Sequence, residues 1–87
     1  MPTRYDDLRI CLSGEVSLDD AEPLRELLAR HPEAAVDLTA CERMHTSALQ
    51  LLLAARRPVV GAPGDAFQAR WIVPELAARA GTASPPP

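Results

Sequence analysis

The sequence predicts a small α/β domain in which strands and helices alternate in the order β-α-β-α-β-α. Residues 8–13 and 35–39 show the short alternation of apolar and polar side chains that is typical of half-buried strands. Each is followed by a stretch whose apolar residues recur at helical spacing. Strands that are joined through helices pair in parallel by right-handed crossovers, so we expect one small sheet packed by helices.

Length and composition narrow the class of protein. The chain has 87 residues, enough for one domain with a small core (residues 1–81) before a Pro-rich tail (82–87) that we expect to be disordered. The net charge of −3 without a basic run argues against nucleic-acid binding. No apolar run approaches the ~20 residues of a membrane span, and the first residues lack a signal-peptide core. We therefore expect a cytoplasmic protein that does not insert into membranes.

In the first strand, Leu8, Ile10 and Leu12 fall on one face, which we expect to be buried. Gly14 is expected to end this strand in a tight turn, and a brief extension at Glu15-Val16 is left open. Residues 1–7 are polar and are expected to form a lead-in without regular structure.

The first helix is predicted to begin near Asp19, which forms a capping-box pattern with Glu22, and to end at His31-Pro32. Pro23 lies in the first turn, where proline is tolerated. The side of this helix that we expect to face the core carries Ala21, Leu24, Leu27 and Leu28.

The central strand leads into the second helix through a polar loop, residues 39–48. Ligand and partner sites form at the carboxyl ends of parallel strands, which makes this loop the natural functional edge. His45-Thr46-Ser47 is predicted to begin a helix that runs to about Arg56. Arg56-Arg57 are expected to be solvated side chains that complement the negative end of its dipole. The first turn of such a helix offers unpaired N–H groups and the positive end of the dipole, so a phosphorylated hydroxyl there is stabilised.

The last part of the chain is predicted to contain a short third strand, residues 58–61, and two short helices. Asp65 is expected to cap the first of these, with Phe67 and Trp71 stacked at i,i+4 in the core. Pro74 is expected to end it, and a second short helix reaches Gly81.

Several chemistries lack a sequence signal. Neither a Gly-rich phosphate loop nor metal-ligand spacing is present, so we expect no cofactor and no metal. Cys11 and Cys41 are expected to be reduced structural thiols. Ser47 and His45 lie two residues apart at a helix start, where we expect their side chains to diverge rather than to form a nucleophile and base. The prediction is that the protein is not an enzyme.

Two stretches resemble the STAS domain, the family that includes bacterial anti-anti-sigma factors. They are Val36-Asp37-Leu38-Thr39 and His45-Thr46-Ser47-Ala48-Leu49, and with the first strand and helix the resemblance covers roughly residues 8–76. The family pattern is a strand ending in Asp-Leu-Ser, a short gap, and Asp-Ser-Ser/Thr-Gly-Leu at the start of an apolar helix. Here His45 stands for the family Asp, and Ala48 for the family Gly.

The resemblance implies a mixed sheet with helices mainly on one face and a non-enzymatic role in bacterial signalling. Family members bind a protein partner, often a kinase-like anti-sigma factor, and phosphorylation at the start of the second helix breaks that complex. By position, the phosphoacceptor implied here is Thr46. The implied partner-binding residues are His45, Ser47, Ala48, Arg43 and Thr39.

Other interpretations remain open from the sequence. A plain capping role for Thr46 has the same weight as phosphorylation, because capping needs only its hydroxyl. The alternative function is that of a small STAS subunit that docks on the ATPase of an ABC transporter without phosphorylation. A sensor of a small ligand or nucleotide and a plain scaffold are further possibilities.

Overall fold

The computed structural model describes the backbone of residues 2–81 and their side chains, except those of residues 72, 73, 77 and 79–81. These residues form a mixed α/β fold, as predicted. The elements are β1 (Thr3–Asp6), β2 (Arg9–Val16), α1 (Ala21–Arg30), β3 (Ala35–Met44), α2 (Thr46–Ala55), β4 (Val59–Val60) and α3 (Ala66–Gly81), with a 3-10 turn at Leu18–Asp20 before α1. The four strands lie in the order β1-β2-β3-β4. β1 is antiparallel to β2, and the other pairs are parallel.

The sheet is packed on one face. Its buried side chains and those of the helices form a single hydrophobic cluster, in which Ile10 and Val36 meet Leu24 and Leu52. The buried members are Ile10, Leu12, Val16, Leu24, Leu28, Ala34, Val36, Leu38, Cys41, Met44, Ala48, Leu49, Leu52 and Leu76. The opposite face carries polar and charged groups such as the pair Arg9–Asp37, with 3.4 Å between nitrogen and oxygen. The helices therefore cover one side of the sheet and leave the other open.

The N-terminal residues form a strand, so the prediction of an irregular lead-in is wrong. Asp6 pairs with Arg9 across a two-residue turn in which Asp7 and Leu8 have φ of 51° and 64°. Such a turn usually contains glycine or asparagine, and Asp-Leu gives no signal of it. Leu8 is 61% exposed in this turn and does not share the core face, contrary to the prediction.

β2 continues past Gly14 to Val16, so the prediction that Gly14 ends the strand is wrong and the alternative of an extension at Glu15-Val16 is confirmed. Gly14 has φ of 63°, a conformation that glycine adopts at little cost inside an irregular strand. The register of β2 against β3 shifts on either side of it, between Cys11 and Ser13 and between Gly14 and Glu15.

β3 is longer than predicted because it contains two bulges. Arg9 pairs with Ala35 and Val16 with Met44, so eight residues of β2 run beside ten of β3. Each register shift accommodates one extra residue of β3. The buried positions of β3 consequently change from a spacing of two to a spacing of three, at Leu38, Cys41 and Met44. The stretch predicted as a polar loop is therefore strand up to Met44.

α1 ends as predicted, but the bonds near its two ends differ from those expected. The predicted capping box of Asp19 and Glu22 is replaced by one in the 3-10 turn before α1, where the backbone N–H and the hydroxyl of Ser17 both donate to Asp20 Oδ2, at 2.8 and 3.0 Å. At its end, the guanidinium of Arg57 donates to the carbonyls of Leu28, His31 and Ala34, at 2.6, 2.7 and 3.2 Å. Arg57 thus closes the C-terminus of α1, and the prediction that it is a solvated end of α2 is wrong.

α3 begins where predicted but does not stop at Pro74. The N–H of Gln68 donates to Asp65 Oδ1 at 3.0 Å, which confirms the predicted cap. The helix continues through Pro74 to Gly81, and Leu76, only 2% exposed, anchors its second half on the core. Pro74 has no N–H to donate within the helix, yet α3 continues past it without ending.

The aromatic side chains of α3 face solvent. Phe67 is 67% exposed and Trp71 is 59% exposed, so the prediction that they stack in the core is wrong. The guanidinium carbon of Arg70 lies 5.3 Å from the centroid of the Trp71 ring, within the range of a cation–π contact. The tail for which disorder is predicted, residues 82–87, lies outside the described residues.

Both cysteines are free thiols, as predicted. Cys41 is buried, and burial raises the pKa of its thiol to about 11, so this thiol is protonated at neutral pH. Within residues 2–81, the helices are too short or too polar to cross a membrane.

Candidate functional site

The candidate site is the edge at which β2 and β3 end side by side. The backbone N–H of His45 donates to the carbonyl of Val16 at 2.7 Å, which ties the end of β3 to the end of β2. The start of α2 and the 3-10 turn before α1 flank a depression of about 360 Å³ there. Residues that line it include Glu15, Ser17, Leu18, Arg43, His45 and Thr46. We call this set the carboxyl edge.

His45 caps α2. It has extended backbone angles, with φ of −67° and ψ of 152°, and its Nδ1 accepts the N–H of Ser47 at 3.0 Å. Its carbonyl accepts the N–H groups of Ala48 and Leu49, at 3.0 and 3.2 Å. A ring nitrogen that accepts this N–H carries no proton of its own. A histidine thus performs the capping that Ser, Thr, Asp or Asn usually performs.

Thr46 is the first residue of α2 and is exposed. It is not the capping residue, so the interpretation of Thr46 as a plain helix cap is wrong. Because His45 engages the N–H groups of Ser47, Ala48 and Leu49, the array of unpaired amides expected at this helix start is largely used up within the chain. What the helix start presents outward is the hydroxyl of Thr46 and the positive end of the dipole.

Ser47 and His45 meet, contrary to the expectation that their side chains diverge. Ser47 Oγ lies 2.9 Å from His45 Nδ1. The same nitrogen already accepts the backbone N–H of Ser47, so its lone pair serves the helix cap. A catalytic nucleophile needs a base whose ring a third group orients. Among the described residues, the hydrogen bonds of the His45 ring are both made by Nδ1 with Ser47. The pair is accounted for as a cap.

Negative charge is concentrated beside the carboxyl edge. A second depression of about 320 Å³ lies beside the first and is lined by Glu15, Glu42, Arg43, Gly64 and Asp65. Arg43 Nε lies 3.2 Å from Asp65 Oδ2. The N–H of Gln68, and after it the charge of Arg43, lowers the pKa of Asp65, which keeps that carboxylate ionised. One guanidinium therefore faces three carboxylates in this depression.

Two of the implied partner-binding residues lie elsewhere. Ala48 is fully buried in the core, so its methyl group is not available to a partner. Thr39 is exposed, but it lies in the first bulge of β3, five residues before Met44. Its N–H donates to Asp37 Oδ1 at 2.9 Å, which places it near the open face of the sheet and apart from Thr46. The structure brings together Arg43, His45, Thr46 and Ser47.

Sequence reasoning missed the contributions of β2 and α3 to this edge. Glu15 and Leu18 line it because parallel strands end together, and the recognition of a continuous β2 would have placed them there. The start of α3 reaches it through the side chain of Gln68, whose Oε1 accepts the N–H of Met44 and whose Nε2 donates to the Met44 carbonyl, at 2.9 and 2.8 Å. Nothing in the sequence signals that pair of bonds.

Within residues 2–81, apart from the side chains left undescribed, no group of three or more His, Cys, Asp or Glu residues is placed to hold a metal ion. Comparisons of the chain with protein-family profiles, with curated proteins and with solved structures give no match. The assignment of function therefore rests on the residues and on the geometry of the carboxyl edge.

Proposed function

We propose that this protein is a non-enzymatic regulatory module of the STAS type, comparable to an anti-anti-sigma factor, which binds a protein partner at the carboxyl edge. The observation that carries the proposal is the exposed hydroxyl of Thr46 at the first position of α2, on the edge where two parallel strands end. The mixed sheet with helices on one face is the architecture that the STAS resemblance implies.

The replacement of the family Asp by His45 is compatible with this proposal. Aspartate is a preferred capping residue because its side chain accepts the N–H of the second or third helical residue. His45 Nδ1 accepts the N–H of Ser47 in the same way. His45 thus supplies the capping bond that an aspartate would supply at this position, which is compatible with the proposal.

Phosphorylation of Thr46 is the proposed control. A phosphate there adds about −1.5 to −2 charges at neutral pH, at the positive end of a helix. The added charge and bulk would disrupt a partner surface that packs against the Thr46 hydroxyl. Ser47 is the less accessible hydroxyl, since it is half-buried against His45, so we expect phosphate on Thr46 rather than on Ser47.

The test combines site mapping with partner capture. Mass spectrometry of the protein isolated from its own cells is expected to find phosphate on Thr46. Capture from the lysate of those cells is then compared for the wild type, Thr46→Ala and Thr46→Glu. A partner that is retained by Thr46→Ala and lost by Thr46→Glu is the expected result.

Gln50→Glu is the matched control, because it places the same charge at an exposed position of the same helix, one turn further along. This variant is expected to retain the partner. Equal capture by all four proteins, without phosphate on Thr46, would contradict the switch and leave phosphate-independent docking, as on a transporter ATPase, as the explanation.

A further inference from the structure

Arg43 borders both depressions at the end of β3. It lines the one that contains Thr46 and also the neighbouring one that contains Asp65. Its side chain is 64% exposed, and its ion pair with Asp65 consists of a single contact, from Nε to Oδ2 at 3.2 Å. Exposed ion pairs of this kind contribute little to stability, so the guanidinium changes partner at small cost.

Asp65 does not depend on Arg43. Its Oδ1 accepts the N–H of Gln68 at 3.0 Å as the cap of α3, while only Oδ2 meets the guanidinium. That backbone bond, ahead of the charge of Arg43, is also the main reason why the pKa of Asp65 is lowered. Asp65 therefore keeps its structural role at the start of α3 when the guanidinium moves away from it.

Thr46 lies close to that guanidinium along the chain and in the fold. It follows Arg43 by three residues, so at most about 10 Å separates their Cα atoms, and both residues line the same depression. Glu15 also lines it and is the Cα partner of Arg43 in the strand register, but the ion pair of Arg43 is made with Asp65. A phosphate carries more charge than a carboxylate and has three acceptor oxygens, so it competes with both carboxylates for the guanidinium.

We propose that a phosphate on Thr46 is bound by the guanidinium of Arg43, which leaves Asp65 for it. The inference rests on the function proposed for Thr46 and names the residue through which its phosphorylation changes the carboxyl edge. A guanidinium forms two parallel N–H···O bonds with a phosphate, whereas its pair with Asp65 has one. Phosphorylation thus adds charge beside α2 and also withdraws the one guanidinium that faces Glu15, Glu42 and Asp65 in the second depression.

The test measures the ionisation of the phosphate itself. Phosphothreonine is incorporated at position 46 of the full chain, and the midpoint of its second ionisation is read from the ³¹P chemical shift between about pH 4 and 8. A bound guanidinium favours the dianion, so Arg43→Gln is expected to raise this midpoint by about 0.5 pH, and Arg43→Lys is expected to recover part of the difference. Arg56→Gln is the matched control, because Arg56 is exposed at the far end of α2, about 15 Å along the helix, and it is expected to leave the midpoint unchanged.

A second comparison tests the exchange of partners. Asp65→Asn keeps an oxygen for the α3 cap and removes the competing charge, so it is expected to lower the midpoint when Arg43 is present and to change it little in the Arg43→Gln background. Arg43 is exposed, so its variants are expected to fold, which circular dichroism checks. His45 is common to all these chains, so its charge cancels from every comparison.

Equal midpoints for the wild type and Arg43→Gln would overturn the proposal. The same shift by Asp65→Asn with and without Arg43 would also overturn it, since the guanidinium would then not be the group that changes partner. The midpoints do not depend on whether cells phosphorylate Thr46. Failure of the proposed function is therefore seen separately, as the absence of phosphate from the protein isolated from its own cells.

Discussion

Replacement of Arg57 by alanine is expected to lower the free energy of unfolding by about 2–4 kcal/mol, because a hydrogen bond from a charged donor contributes about 1.5–3 kcal/mol and water takes over part of this half-buried site. The guanidinium of Arg57 bonds the Leu28 carbonyl in the last turn of α1 and the carbonyls of His31 and Ala34 in the segment that follows. The His31 carbonyl also accepts the N–H of Ala34 at 3.0 Å, so the loss of Arg57 costs chiefly the bonds to Leu28 and Ala34.

The variant Arg57→Lys separates the contribution of hydrogen-bond geometry to the free energy of unfolding from the contribution of charge. An ammonium group keeps the positive charge at the negative end of the α1 dipole, but it lacks the planar fork that joins Leu28 to His31. We expect Arg57→Lys to cost about half as much as the alanine variant, roughly 1–2 kcal/mol. Arg56→Lys is the matched control, because Arg56 is exposed and the backbone is unchanged, and it is expected to stay within about 0.5 kcal/mol of the wild type.

Urea unfolding followed by circular dichroism at 222 nm measures these differences. With a slope of about 1 kcal/mol per molar urea for a chain of this size, a loss of 2 kcal/mol moves the midpoint by about 2 M. The reasoning is refuted if Arg57→Ala and Arg57→Lys unfold at the midpoint of Arg56→Lys.

Two further outcomes test the sheet. Gly61→Ala is expected to destabilise by about 2–4 kcal/mol, because Gly61 has φ of 77° and an added Cβ would lie 2.5 Å from Thr39 Oγ1 and 2.8 Å from the Thr39 nitrogen. Gly14→Ala, with φ of 63° and no atom within 4 Å of the added Cβ, is expected to cost only about 1–2 kcal/mol, and equal costs in urea unfolding would contradict the steric argument. The N–H of Thr39 lowers the pKa of Asp37 in the folded state, so this carboxylate contributes stability above its unfolded pKa, about 3.9, that is lost as the pH falls through the lower folded value. Asp37→Asn is therefore expected to flatten the fall of the thermal midpoint below about pH 4, and parallel curves for the two proteins would show that Asp37 makes no such contribution.

The sequence predicts the elements that follow a regular period and misses those that depart from it. The face of α1 that carries Leu24 and Leu28 is regular and is buried as predicted. β3 buries Leu38, Cys41 and Met44 at a constant spacing of three residues. This spacing is neither the period of two of a strand nor the period of 3.6 of an α-helix, so β3 was not predicted beyond its first half.

The remaining misses come from contacts between distant parts of the chain. The hairpin of β1 and β2 depends on positive φ angles at Asp7 and Leu8, and these residue types do not predict such angles. α3 passes Pro74 because Leu76 is buried against the core, and only the tertiary fold reveals that contact. In the candidate site, the sequence predicted that Thr46 lies at the start of α2 but did not identify His45 as the capping residue, since histidine is an uncommon cap.

The bond pair between the Gln68 side chain and Met44 has a consequence for solubility. β4 spans two residues, so the second half of β3 would otherwise expose a row of unsatisfied backbone groups along the rim of the sheet, a template for the addition of a foreign strand. The backbone N–H groups of Gly64 and Asp65 bond the carbonyls of Cys41 and Glu42, and the Gln68 amide takes both groups of Met44. The segment after β4 and the Gln68 side chain thereby occupy backbone groups of Cys41, Glu42 and Met44 to which a foreign strand could otherwise add.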